Sequence, residues 1–446
     1  MRGKFVLWLV IAAISFVGSA RAQVQVKPLD FKERTLKNGL KVISLEDHSS
    51  PTVTVQVWYK VGSKDDPEGR SGFAHMFEHM MFKSTKNLKN EQFDRLTEDI
   101  GGFNNASTAD DYTNYYQVVP SNYLETLLWA EADRMVNLNV DEANFKSERD
   151  VVKEEFRQRI LAPPYGRLFY QIEKKSFTVH PYRRPGIGSI EELDAATTQD
   201  ANAFYKVFYR PDNATLIVVG DFEERQLNNW VDKYFGKIER QNTRIPRVIV
   251  QEPEKTEEKR YTEYAPNVPL PALAITYLAP KASSPDTAAL EVAQNILSGG
   301  ESSRIYQELI YKQQVASDAG FFVDSRADQG LLVFYAILAG GKRVEDAEKS
   351  LLAELKKLQS AAPAARELEK AKNQIITNAL TARETNDGKA NALGRAEIIL
   401  GDAAEANYSI EKIRAVTAAD VQRVMRKYFS DRNRVVIHYL PEAKGN

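Results

Sequence analysis

The 446-residue chain contains no cysteine. That excludes disulfides, thiol nucleophiles, iron–sulfur clusters and thiolate metal sites, so any metal must sit on histidine and carboxylate. Histidine is nearly as scarce: His48, His75, His79, His180 and His438 are the full set. Neither sign of charge dominates, with 60 Lys plus Arg against 61 Asp plus Glu. A global field that would hold nucleic acid is therefore missing, and no such partner is expected. Gly101-Gly102, Gly299-Gly300 and Gly340-Gly341 read as turns, because none opens a phosphate loop with a following Lys-Ser/Thr. Long apolar runs are also missing, apart from residues 5–17.

That run of 13 follows Arg2 and Lys4 and precedes Ala20-Arg21-Ala22, an A-x-A cleavage pattern. It is short of the roughly 20 residues that span a bilayer. Residues 1–22 read as an export signal cleaved before Gln23, leaving no stable membrane span. Export without cysteine fits a bacterial envelope, and the periplasm is the expected location.

The remainder reads as one unit written twice. Under a shift of 220, Ser189-Ile190-Glu191 falls on Ser409-Ile410-Glu411. Ala195, Thr197, Asp200 and Asn213 fall on Ala415, Thr417, Asp420 and Asn433, giving seven identities in 25 ungapped positions. An apolar strand follows in both copies, at residues 216–219 and 435–437. A period this long marks duplicated domains rather than a solenoid. Residues 35–43 suggest a hairpin on Asn38-Gly39. Val53, Val55, Val57, Tyr59 and Val61 alternate as in a half-buried strand, and Leu273, Ile275 and Tyr277 do likewise. Helical stretches are expected at 142–161 and 366–380. The expected class is α+β: a first domain over 23–240, a charged, proline-punctuated linker over 241–262, and a homologous domain over 263–446. Each domain is a mainly antiparallel sheet covered by helices.

Two of the five histidines lie in His75-Met76-Phe77-Glu78-His79. On a helix, positions i and i+4 share a face and i+3 lies beside them. His75 and His79 can then grip one metal while Glu78 takes a proton from a water there. Gathering two imidazoles and a carboxylate among Phe73, Met76, Phe77, Met80, Met81 and Phe82 is costly without a cation. A hydrolytic zinc needs a third protein ligand. The stretch 142–161 offers Glu148, Glu154 and Glu155. Glu148 and Glu155 are two turns apart on one face, with Glu154 about 100° away from Glu155. Under the 220 shift, Glu148 and Glu155 become Leu368 and Ile375, which read as core. Acids at core-facing positions need a reason, and a metal supplies one.

H-x-x-E-H followed by the pair Glu148 and Glu155 resembles the pitrilysin/insulinase family of zinc peptidases, in its short, processing-peptidase-like form. The resemblance extends to Gly102-Phe-Asn-Asn105-Ala106-Ser-Thr108, His180-Pro-Tyr182 and Tyr209-Arg-Pro-Asp-Asn213. It implies one Zn2+ per chain held by His75, His79 and Glu155. It also implies Glu78 as catalytic base and Glu148 as an acid that orients a ligand or the water. The peptide would join as an added strand along Asn105, Ala106, Ser107 and Thr108. In this family two such two-domain halves enclose a chamber. Single-chain-type members also carry, in the second domain, an Arg and seven residues later a Tyr that bind the substrate carbonyl. Aligned on Glu308-Leu309, those positions hold Ile310 and Ser317. Arg304 and Tyr311 are seven apart but six residues too early. The expected partner is therefore a homologous, zinc-lacking chain that supplies the Arg and Tyr, making a heterodimer. A homodimer is the less favoured assembly. The alternative function is a non-catalytic zinc-binding or scaffold subunit of a larger complex.

Overall fold

The structure, a computed structural model, describes residues 26–442; the expected export signal lies outside them. Among the described residues, no helix is long and apolar enough to cross a membrane. Strands β1 (Lys32–Thr35), β2 (Lys41–Glu46), β3 (Thr52–Tyr59), β4 (Phe103–Thr108), β5 (Thr113–Pro120) and β6 (Ala214–Gly220) form one sheet. Its order is β1-β2-β6-β3-β5-β4. Strands β7 (Lys259–Ala265), β8 (Ala272–Lys281), β9 (Ala316–Asp324), β10 (Gln329–Leu338) and β11 (Val435–Pro441) form the second, ordered β7-β11-β8-β10-β9. Without β1 the two orders are the same. In each sheet one pair is parallel (β2 with β6, β7 with β11) and the rest are antiparallel. The chain is a two-domain α+β protein.

The repeated residues explain why both copies fold alike. Thr197 with Asp200, and Thr417 with Asp420, form capping boxes that start equivalent helices. Asn213 Nδ2 donates to the Phe208 carbonyl at 2.8 Å, and Asn433 Nδ2 to that of Tyr428 at 3.0 Å. Each amide closes the turn that sends the chain from that helix into the parallel strand. The Asn38-Gly39 hairpin forms as well. Gly39 has φ +94°, and a Cβ there would lie 2.6 Å from Asp212 Cβ, so glycine is required twice over.

Two expectations need correcting. β3 is not half-buried: every residue from Val53 to Tyr59 is buried, because both faces of its sheet are covered. One face packs on the first domain's own helices. The other takes helix Asn386–Arg395 from the second half, where Ala390 and Leu393 meet Ile43, Trp58, Ile217 and Val219. Reciprocally, helix Gly166–Ser176 of the first half covers the second sheet. Its Leu168 and Ile172 pack on Ala272, Leu331, Val333 and Ile437. The two helices begin 220 residues apart, so the copies exchange equivalent elements. Second, β7 starts at Lys259, inside the stretch expected as linker. The rest of that stretch is pinned: buried Glu252 accepts from the amides of Thr178, Val179 and His180 at 2.6–3.0 Å.

The halves are also tied by charge. Buried Arg326 donates hydrogen bonds to Glu173 (2.5 Å) and Asp324 (2.8 Å), lies 3.1 Å from the Asp110 carboxylate and stacks over Tyr182. Lys389 bonds Asp47 across the first sheet's cover.

Two tests follow from this interlock. A Cβ at Gly394 would stand 2.3 Å from Trp58 Cε2, so Gly394→Ala wedges the exchanged helix off the sheet. It is expected to cost about 1–3 kcal/mol, seen as a lower midpoint in scanning calorimetry; an unchanged midpoint would contradict the close fit. The hydrogen bond from Lys389 holds the Asp47 carboxyl at about 2, below its ordinary 3.8. A depressed folded pKa stabilises above pH 3.8, and the effect is lost as pH falls toward 2. Lys389→Met should therefore lower urea stability at neutral pH and match the parent near pH 2.

Candidate metal centre

Helix Phe73–Met80 carries the H-x-x-E-H residues. It is only eight residues long and has no side-chain cap of its own, since Gly72 occupies the N-cap with φ +94°. Asp66 fills that role from outside. Its two oxygens accept from the amides of Gly72 (2.7 Å) and Ala74 (2.8 Å). Burial pushes this carboxyl up to about 8, against the pull of those two amides. Phe73, Met76, Phe77 and Met80 sink into the first core. From β5, the Tyr115 hydroxyl donates to the Phe77 carbonyl at 3.0 Å and meets the Tyr209 hydroxyl at 3.2 Å. With the apolar residues turned to the core, His75 and His79 face helix Glu142–Phe156.

That second helix is capped by Asp141, whose Oδ1 accepts from the Asn144 amide at 2.8 Å. Phe145, Glu148, Val152 and Phe156 form its buried face. Glu155 follows on the same side, whereas Glu154 turns away to Arg157 (3.1 Å) and Gln158 (3.2 Å). Glu155 Oε2 lies 3.6 Å from His75 Nε2 and 3.2 Å from His79 Nε2. The three ligand-type atoms fall within 4.8 Å of one another. Glu148 Oε2 stands 3.6 Å from His79 Nδ1. Glu148 thus lies behind the ring rather than with the converging atoms. No hydrogen-bond donor among the described residues holds the Glu78 carboxylate, which is partly exposed beside His79.

The electrostatics suit a cation. Burial lowers the His75 pKa, keeping that imidazole neutral, and its Nδ1 is buried without a partner among the described residues. Burial opposes the charge on His79, but hydrogen bonds to Glu148 and Glu155 lift it to about 9. The bond from His79 holds Glu155 below its ordinary value. Burial works against the Glu148 charge, and bonds from His79 and Lys83 outweigh it. In effect a proton shared at His79 balances the acids. Two imidazole nitrogens and one carboxylate oxygen are a donor set that fits zinc with a position left open.

Asn105, Ala106, Ser107 and Thr108 lie on β4, the open edge of the first sheet, beside helix Phe73–Met80. The Ala106 amide is met by Asn105 Oδ1 at 2.8 Å, and Ser107 Oγ donates to Asn114 Oδ1 at 2.6 Å. In the second half, Ile310 packs partly buried on the core. Ser317 Oγ donates to the carbonyls of Ile337 and Leu338. Arg304 is held by both oxygens of Glu367 at 2.7 and 2.6 Å, while Tyr311 is 69% exposed.

Sequence reasoning missed Lys83, whose Nζ holds Glu148 Oε1 at 2.7 Å, and Arg159, whose Nη1 holds Glu155 Oε1 at 2.9 Å. Each lies four residues after a site residue, His79 and Glu155, and that spacing was the available signal. Asp66 gave no such signal, because its role arises from a loop folding back on a helix end.

Residues 41–186 match the family model described as Insulinase (Peptidase family M16). Residues 195–375 match the one described as Peptidase M16 inactive domain. "Zinc protease PqqE" of Helicobacter pylori is 31% identical over 412 residues, covering 91% of this chain and 92% of the relative. An Arabidopsis thaliana protein named as a probable mitochondrial-processing peptidase subunit beta is 26% identical over 407 residues, covering 90% and 76%. The crystal structure of a protease from Helicobacter pylori superposes with a TM-score of 0.89 at 30% identity, over 93% of this chain and 100% of that one. A peptidase M16 inactive domain from Pseudomonas fluorescens shares the fold, with a TM-score of 0.83 at 16% identity over 94% and 99%. Its sequence, its doubled fold and these relatives agree: the chain belongs to the insulinase, or M16, family of peptidases.

Proposed function

We propose that this chain is a zinc-dependent endopeptidase of the bacterial periplasm, acting on peptides or unfolded segments within an enclosed chamber. The observation that carries the reading is the convergence of His75 Nε2, His79 Nε2 and Glu155 Oε2 from two buried helix faces, with Glu78 beside them. The first half holds this chemistry; among the described residues the second half adds no ligand to it.

One bound zinc would supply Lewis acidity at the scissile carbonyl and a lowered pKa for a water. Glu78, unheld by other donors among the described residues, takes a proton from the attacking water and delivers it to the leaving amine. Glu148, 3.6 Å from His79 Nδ1, favours the tautomer with its proton on that nitrogen and so leaves Nε2 as the donor atom. Lys83 fixes Glu148 in that role. The β4 edge offers backbone groups to an extended peptide. The Ala106 amide is the first to consider, with the Asn105 side chain standing in its place until a strand arrives.

A homologous, zinc-lacking chain would complete the site. Ile310 and Ser317 cannot contact a carbonyl as an Arg and a Tyr would, and one relative is itself named as a subunit. The second reading is a non-catalytic subunit of a larger complex, favoured by the same vacant pair of positions. A free carboxylate placed beside two imidazoles argues against it, since a scaffold has no use for a base there.

The test uses the chain from Gln23 onward. It should bind one zinc. Glu78→Gln should keep the zinc and lose about 10²–10⁴ of peptide turnover, measured with the zinc-lacking partner added. Full turnover without a partner would overturn the heterodimer. Absence of bound zinc would overturn the peptidase and leave the scaffold.

A further inference from the structure

We propose that Arg159 is a substrate-binding residue that gives the site a preference for a peptide carboxylate next to the scissile bond. This rests on the peptidase reading above. Helix Glu142–Phe156 does not end at Phe156. Its backbone widens into a π turn, Arg157–Leu161, closed by the Ala162 amide on the Arg157 carbonyl at 2.8 Å. An α-turn would carry residue 159 about 40° past the line of residue 155. The wider turn keeps it nearer that line, and such turns recur at functional sites.

The consequence is a guanidinium one carboxylate away from the converging ligand atoms. Arg159 Nη1 meets Glu155 Oε1 at 2.9 Å, while Oε2 is the oxygen turned to the imidazoles. A guanidinium has five N–H donors in a fork. Glu155 occupies one edge, and the Arg159 side chain remains 73% exposed. The neighbouring cations are engaged and lie elsewhere: Lys83 on Glu148 and Arg157 on Glu154. An ion pair this exposed contributes little to stability, so the fold has small need of it.

Local charge gives the ligand's sign. Glu78, Glu148 and Glu155 face Lys83 and Arg159. Without a divalent cation the proton at His79 brings this group to balance; a divalent cation in place of that proton leaves one positive charge in excess. A metal-loaded site would thus draw an anion, and the planar fork of Arg159 matches a carboxylate. An acidic side chain and a free C-terminus offer the same group.

The experiment measures binding, not turnover. Fluorescent peptides of one sequence, with Glu, Gln or Lys flanking the scissile position and each as free acid or amide, are titrated by anisotropy. The protein is zinc-loaded Glu78→Gln, with the partner chain present. The carboxylate peptide is expected to bind about five- to tenfold tighter than its neutral isostere, and the gap should narrow with salt. Arg159→Gln should abolish the preference and Arg159→Glu should reverse it toward Lys, both with zinc content unchanged. Loss of the preference on amidation assigns it to a chain terminus; its survival assigns it to an acidic side chain. Equal binding of Glu and Gln peptides overturns the role of Arg159 and leaves the peptidase reading standing. So does an Arg159→Gln protein that loses zinc but keeps the preference. If zinc is bound but no peptide is, both readings fall.

Discussion

Each sheet in this protein has two apolar faces, one covered by helices of its own half and the other by a helix from the other half. The solution is reciprocal: Gly166–Ser176 covers the second sheet and Asn386–Arg395 covers the first. Burial of this kind contributes about 25 cal/mol per Å² of apolar surface, so an uncovered face would be a large loss. The halves are therefore one folding object despite their duplicated ancestry. The buried Arg326, shared between Asp110 and Glu173 of the first half and Asp324 of the second, ties the two halves at one buried point. A charge so buried would be costly to leave unpaired, so separating the halves there is strongly disfavoured.

The metal centre hangs from this arrangement. Helix Glu142–Phe156 brings Glu148 and Glu155, then runs through the π turn into the very helix that covers the second sheet. The reach of Glu155 and Arg159 is thus tied to the contact between halves. The partner helix, Phe73–Met80, is too short to stand alone in water. It holds its place through Asp66 at its start, the Tyr115 hydroxyl on its Phe77 carbonyl, and four apolar side chains in the core. These supports leave the histidines facing the acids with little freedom to turn.

Much of this was legible beforehand. The His75–His79 spacing needs only helical geometry, and the Glu148/Glu155 pair stands out because its duplicated counterparts are apolar, Leu368 buried in the core and Ile375 packed partly buried against it. The repeated Thr-x-x-Asp boxes and Asn213/Asn433 are local rules that act wherever the chain goes. Less legible was β3, whose alternation suggests one wet face. The pattern reports the side chains, not what another part of the chain lays over them. The start of β7 was hidden for a related reason: Lys259 to Tyr264 is largely exposed, and only its parallel pairing with β11 makes it a strand.

By itself the sequence determined the duplication, the α+β class, the exclusion of thiol chemistry and the face on which two imidazoles and two acids stand. Those follow from composition and from periodicities of a few residues, which act locally. Only the tertiary structure decided which oxygen of Glu155 meets the imidazoles, and that Glu148 lies behind His79 with Lys83 on its far side. It also decided that Asp66 caps the motif helix, and that Arg304 is bound to Glu367 rather than free. Each of these depends on the approach of segments dozens to hundreds of residues apart. That approach is set by which apolar faces must be covered, and no local pattern encodes it.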